Sequence, residues 1–246
     1  LFSRSTAESL RNPWFFFDRI YCISLVNRHD RRQQAQKEFT AVGLEGRVEF
    51  ILVQPHAQNR AQGIFESHIL CLRRGIAANA SNILIFEDDV FFKNFSPERL
   101  RQGCICLARN GRWDALFLGC ITSRSRPAGQ HIARIKYRCL SHAYAVSAEF
   151  ARELVTNKWT GVPWDTFLRH QQKRKRFFAL TPMCALQGLA GSDNQTIVIH
   201  RLRRLFGGLP FLQQLNEFYQ CRKLLLLTTN LLALFAASLL LWRCFL

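Results

Sequence analysis

ILIFEDDV, residues 83–90, is a short apolar run that ends abruptly in three consecutive acids, Glu87, Asp88 and Asp89. Four apolar residues in succession read as a strand buried on both faces, and ligands of open α/β sheets gather at the carboxyl ends of such strands. Acids at that position are costly unless something compensates them. Alternation along an extended chain would turn Glu87 and Asp89 to one side and Asp88 to the other. Two carboxylates on one side suit a single Mn²⁺ or Mg²⁺ held through oxygen, while the third meets a ribose or an Arg. An ion so placed would bridge to a diphosphate and stabilise a nucleotide leaving group. A solvated acidic turn is the competing reading, and the triplet alone does not separate the two.

Working outward, IYCISL (20–25) reads as a strand that ends at the polar stretch VNRHDRR, with an amphipathic helix following to about residue 42. VEFILV (48–53) is a second strand, followed by the loop QPHAQNRAQG. Residues 66–80 place Ile69, Leu72, Ile76 and Ala80 at near-helical spacing, with Ser67 available as the N-cap. WDALFLG (113–119) and HAYAVS (142–147) read as further strands, the latter leading into a helix through AEFARELV. Strands alternating with helices predict a largely parallel α/β sheet.

The composition sets outer bounds. At 246 residues and 48% hydrophobic, the chain can bury one sizeable α/β core with an appendage. Its 34 Lys and Arg against 17 Asp and Glu give a formal charge of +17, so its productive partners should be anionic. No nucleic-acid-binding module is recognisable, which leaves nucleotide diphosphates and acidic headgroups as the better candidates. The nine cysteines are odd in number, several lie in apolar runs and none forms a C-x-x-C pair, a pattern of reduced buried thiols in a cytosol. WFFF (14–17) is too soon interrupted by Asp18 and Arg19 to be a signal sequence.

Residues 224–242, LLLLTTNLLALFAASLLLW, carry no ionisable group and are long enough to cross a hydrocarbon core of about 30 Å as a helix. Arg201, Arg203, Arg204, Arg222 and Lys223 precede this run and Arg243 follows it, so the positive-inside bias keeps the large domain cytoplasmic. The expected organisation is a catalytic domain over 1–200, a basic juxtamembrane hinge over 201–223 and a transmembrane helix over 224–242. A single-pass protein of a bacterial inner membrane fits both the tail and the thiols.

Several segments taken in order resemble glycosyltransferase family 25, which includes lipooligosaccharide and collagen galactosyltransferases. They are ISLVNRHDRR (23–32), GIFESH (63–68), IFEDDV (85–90), WDALFLG (113–119), and HAYAVSAEFARELV (142–155) followed by VPWD (162–165). Ser24 stands where the family usually has Asn, and Ile64 where it usually has Cys. The resemblance implies a nucleotide-diphospho-sugar transferase fold of the GT-A type and transfer with inversion. It further implies a hexose donor, galactose by analogy, and a saccharide acceptor on lipopolysaccharide or a similar glycolipid.

Candidate site residues follow from the two readings together. Glu87 and Asp89 are the expected metal ligands, and Asp88 a donor contact. Arg28, Arg31 and Arg32 are placed to hold the nucleotide diphosphate, since guanidinium forks suit phosphate. His68 is expected to line the donor pocket or simply to pack. Inversion needs a base remote from the metal motif, for which Asp165 is the first candidate and Asp193 the second. Asp114 reads as structural or donor-contacting, His200 as a surface histidine rather than a late metal ligand, and KRKR (173–176) as a solvated face or a contact to anionic lipid or the phosphorylated core of an acceptor. A catalytically inactive, membrane-bound scaffold with a transferase fold is the alternative function.

Overall fold

The computed structural model describes residues 12–188 and 208–244. Asp193, His200 and the arginines at 201, 203 and 204 lie outside the described residues.

The chain opens with β1 (Arg19–Leu25), α1 (His29–Ala41), β2 (Val48–Val53), α2 (Arg60–Ala77) and β3 (Asn82–Glu87). Strand β1 pairs in parallel with β2 on one side and β3 on the other. The path therefore leaves β1 in one direction through α1 and returns past it through α2. The strand order reverses at β1, and a crevice opens beyond the carboxyl ends of β1 and β3.

After β4 (Val90–Phe92) and α3 (Pro97–Arg109) come β5 (Ala115–Gly129), β6 (Ile132–Ser147), α4 (Ala148–Leu154), α5 (Trp164–Gln171), β7 (Phe177–Leu180), β8 (Ala185–Gln187) and α6 (Gly208–Cys244). The main sheet has the order β2-β1-β3-β6-β5-β7, and β4 and β8 form a separate antiparallel pair. Successive residues of β3 feed two cores. Leu84 and Phe86 pack with α1 and α3, whereas Ile83 and Ile85 pack with α2, α4 and α5. Both faces of the strand are buried, as its unbroken apolar run requires.

Four expectations change here. The sheet is mixed, because β6 runs antiparallel to both β3 and β5. WDALFLG and HAYAVS are the apolar ends of one long hairpin of 15- and 16-residue strands. Its outer half alternates buried Ile135 and Tyr137 with exposed Arg134, Lys136 and Arg138, a half-solvated pattern without an apolar run.

Helix α2 starts at Arg60, where the Asn59 side chain caps Gln62 N at 3.2 Å. Ser67 is thus no N-cap: it lies within the helix, and its hydroxyl donates to Gly63 O at 2.6 Å. Gly63 allows the helix to press on the preceding loop, since a Cβ there would sit 2.8 Å from His56 Cβ.

The fourth change concerns the expected hinge, whose residues 208–223 form the first half of α6, docked on the domain. Thr122 N donates to Asn216 Oδ1 at 2.9 Å, and Asn216 Nδ2 donates back to Thr122 O at 2.9 Å. Gln213 Nε2 donates to Ala185 O at 2.7 Å, and Met183 N donates to the Glu217 carboxylate at 2.6 Å. Helix α6 thereby satisfies backbone groups of β5 and β8 that would otherwise be left unpaired. The apolar run 224–242 continues this helix, with most of its side chains outside those described. Among the described residues, no helix is long and apolar enough to cross a membrane.

Candidate functional site

A cleft of about 650 Å³ opens at the crevice beside β1 and β3. Arg28, Arg31, His68, Glu87, Asp88 and Asp89 all line it. The topology brings together residues up to 61 positions apart in the chain because α1, α2 and β3 all deliver their ends to this one edge.

Strand β3 stops at Glu87, and Asp88 and Asp89 form a tight turn into β4. The strand alternation expected for the triplet therefore holds no further than Glu87. The turn is fixed from two sides: Asp88 N donates to Ile23 O at 3.1 Å, and Gly188 N donates to Asp89 O at 2.6 Å. Gln187, at the end of β8, donates from Nε2 to Asp89 Oδ2 at 3.1 Å. Glycine is required at 188, since a Cβ would lie 2.8 Å from Asp89 O.

The three acids differ in their company. Arg31 Nη1 approaches Asp88 Oδ1 to 3.3 Å, with both side chains largely buried. Among the described residues, neither Glu87 nor Asp89 forms an ion pair with an arginine or a lysine. Burial, reinforced by the Asp165 and Asp88 carboxylates, raises Glu87 to about 8. Burial and then Glu87 raise Asp89 to about 7. Asp89 Oδ1 is buried without a hydrogen-bond partner.

His68 brings no compensating charge. Its burial lowers it to about 3, so the ring is neutral. Nδ1 lies 3.0 Å from the Tyr144 hydroxyl, and the ring stacks on Trp164 at 4.7 Å between centroids. Nε2 is 3.6 Å from Glu87 Oε1, beyond hydrogen-bonding range. Two half-buried carboxylates, one with an orphaned oxygen, are of the type that a hard divalent cation takes. Among the described residues, no group of three or more His, Cys, Asp or Glu could hold a metal ion. A cation here would need donor phosphate and water oxygens to complete its shell, as Mg²⁺ commonly does.

The arginines also divide. Arg28 reaches the cleft while its Nε and Nη2 bind Asp30 at 3.0 and 2.9 Å. Arg32, expected to bind the nucleotide, does not line the cleft. Its guanidinium donates to the carbonyls of Leu25 and Val26 and to Ser24 Oγ, closing the end of β1. Arg60 does line the cleft from the first turn of α2. That residue and Gln187 were not identified from the sequence. A start for α2 at Asn59, readable as a cap, would have pointed to Arg60; a three-residue strand gives no periodic signal for Gln187.

Asp165, the first candidate base, is likewise absent from the cleft lining. Its Oδ1 accepts from the Tyr137 hydroxyl at 2.6 Å and its Oδ2 from Leu140 N at 3.1 Å. Leu140 sits at φ 74°, a strained backbone for a branched side chain, so the carboxylate pins an unusual bend in β6. Asp114 does not line the cleft either, and its carboxylate accepts from Arg176 N at 2.6 Å.

No protein-family model and no curated protein matches this chain. Among solved structures it is similar to A197 from STIV, with a TM-score of 0.47 and 11% identity over 69% of this chain and 85% of that one. It is similar to a UDP-glucose pyrophosphorylase complexed with UDP-glucose, with a TM-score of 0.39 and 15% identity over 65% of this chain and 72% of that one. A glycosyltransferase involved in the glycosylation of the major capsid of PBCV-1 gives a TM-score of 0.39 and 13% identity over 65% of this chain and 80% of that one. All three scores fall below 0.5, so the functional reading rests on the cleft itself.

Proposed function

We propose that the cleft binds a nucleotide-diphospho-sugar and that the chain transfers its hexose to a saccharide acceptor. The observation that carries this reading is the pair of carboxylates with raised pKa values, Glu87 and Asp89, beside the cleft arginines Arg28, Arg31 and Arg60 at the point where the strand order reverses. An anionic ligand alone would suit the arginines and be repelled by the acids. A diphosphate that arrives with a cation suits both.

In this account Arg28 and Arg31 hold diphosphate oxygens, and Asp88 fixes the Arg31 guanidinium in place. Glu87 and Asp89 hold Mn²⁺ or Mg²⁺, which when bound would offset charge on the departing nucleotide. Gln187 keeps Asp89 turned into the site. Neutral His68 presents Nε2 to the cleft without adding charge, and its stack on Trp164 sets the ring plane. Asp165 is a positioning residue holding β6 against α5. Attack by the acceptor hydroxyl from the face opposite the diphosphate breaks the sugar–phosphate bond, releases the nucleoside diphosphate and inverts the configuration, the hydroxyl proton going to a base for which Asp193 is the remaining sequence candidate. Galactose as the sugar and a lipopolysaccharide-type glycolipid as the acceptor rest on the resemblance to family 25. Placement at a bacterial inner membrane, domain inward, rests on the uncharged run 224–242 and the basic residues before it.

The test is donor hydrolysis over a panel of nucleotide sugars, with and without Mn²⁺, in the parent chain and in Asp89→Asn. Turnover of one donor, dependent on the ion and on Asp89, supports the proposal. Absence of turnover and of binding for every donor would sink it.

A further inference from the structure

The outer half of the β5/β6 hairpin carries like charges face to face. Arg124 is the register partner of Lys136, and Arg126 of Arg134, with Arg138 two residues further along the same face. All five are exposed. Like charges directly opposite each other destabilise an antiparallel pair. Arg134 is partly engaged, donating to Lys175 O at 3.0 Å and lying over the Phe178 ring. Among the described residues, no carboxylate forms an ion pair with Arg124, Arg126, Lys136 or Arg138. The surface extends sideways, because Gln172 bonds to both Tyr137 N and Tyr137 O and so brings exposed Lys173 and Arg174 alongside β6.

What stands next to this ladder selects its partner. Lys223, the last charged residue before the uncharged run 224–242, donates from Nζ to Ser125 O at 3.2 Å. Ser125 lies between Arg124 and Arg126. The point where α6 becomes uncharged is thus fastened to the middle of the basic ladder. One turn earlier, Phe218 and Tyr219 are about half exposed, with the Arg222 guanidinium 4.8 Å over the Phe218 ring. Half-exposed aromatics with basic neighbours at the edge of an apolar segment are the composition of a membrane interface.

We propose that the basic face of the β5/β6 hairpin is a docking surface for an anionic lipid bilayer, positioned by the Lys223–Ser125 contact beside the apolar run of α6. A bilayer needs only charge and proximity, which suits a row of exposed side chains without a pocket. The proposal does not depend on transfer activity, so either reading can fail without the other.

The full chain is floated with vesicles of phosphatidylcholine alone and of phosphatidylcholine with phosphatidylglycerol. The difference between the two isolates the charged surface from any contribution of the apolar run. Phosphatidylglycerol should strengthen binding by at least tenfold, and about 0.5 M NaCl should abolish that increment. The variant Arg124→Gln/Arg126→Gln/Lys136→Gln/Arg138→Gln should lose most of that increment, each residue contributing up to roughly fivefold. Its thermal midpoint should not fall, because repulsion is relieved. Arg124→Lys/Arg126→Lys/Arg138→Lys should keep the increment. No increment in the parent chain, or an undiminished one in the glutamine variant, overturns the proposal. Loss in the lysine variant also overturns it, because that marks a discrete phosphate fork. Displacement from the vesicles by random duplex DNA at physiological salt makes nucleic acid the partner and overturns it as well.

Discussion

Arg31, near the start of α1, places Nη1 3.3 Å from Asp88 Oδ1 across 57 residues of chain, and this pair sorts the acidic turn. Asp88 is matched by a guanidinium. Glu87 and Asp89, on either side of it, are left with raised pKa values and a need for positive charge. Whatever binds the cleft must supply it.

Substitution should reflect that division. Asp89→Asn is expected to lower transfer about a hundredfold or more while leaving the thermal midpoint unchanged or higher, since a buried uncompensated charge has gone. Asp88→Asn should cost about tenfold, expressed mainly in the donor KM, because Arg31 loses its anchor but remains in the cleft. Steady-state kinetics on both variants decide the matter, and equal losses would mean that the three acids act as one undivided cluster.

The same two carboxylates give a pH dependence with a definite sign. Their folded-state values, about 8 for Glu87 and about 7 for Asp89, lie above the ordinary 4.5 and 3.8. Their contribution to stability is therefore fully present below about pH 4 and is lost as pH rises through 7 to 8. Without added ions the melting temperature should fall between pH 6 and pH 8.5. Mn²⁺ should restore it, and should raise it more at pH 8.5 than at pH 6, where protons compete for the same oxygens. A Mn²⁺-independent melting curve at pH 8.5 would remove the cation from the account.

Asp165 is expected to matter for folding more than for chemistry. In Asp165→Asn one of the two acceptor oxygens becomes an NH2, so the Tyr137 hydroxyl and Leu140 N no longer each have their own acceptor, and stability should drop by about 1–3 kcal/mol with donor affinity retained. The folded fraction should turn over within a few-fold of the parent. Normal stability and donor binding with transfer abolished would restore Asp165 as the base that the sequence suggested.

Much of the cleft-bearing half was legible from residue order alone. The apolar strand of residues 83–86, the acids at its end and the strand–helix–strand run before it all have strong local signals. The pairing of Asp88 with an arginine was one of two alternatives open in the sequence. What escaped had a non-local cause. The β5/β6 hairpin hides its outer half because Arg124, Arg126, Arg134, Lys136 and Arg138 face solvent and interrupt any apolar run. Arg32 has the right residue type for phosphate but points at carbonyls of its own loop. Gln213, Asn216 and Gln220 look like the polar side of a linker until they are seen against β5 and β8.

That docking makes the first half of α6 part of the domain. Asn216→Ala leaves Thr122 N without its partner, while Thr122 O keeps Gln220 Nε2 at 3.3 Å, and should cost about 1–3 kcal/mol in chemical denaturation. Deleting residues 224–246 should leave a folded, donor-hydrolysing protein, whereas deleting 208–246 should expose the β5 edge and cause aggregation. If both truncations behave alike in size-exclusion chromatography, the helix is only an appendage.

The central claim is that Glu87 and Asp89 hold a cation together with a nucleotide diphosphate. Isothermal titration of the full chain with UDP, GDP and CDP, each with and without Mn²⁺, tests it most directly. The account predicts that one diphosphate binds at least tenfold more tightly with Mn²⁺ than without, and that Asp89→Asn erases the difference while Arg32→Gln leaves it intact. Binding of none of the three, or Mn²⁺-dependent binding that survives Asp89→Asn, would contradict it.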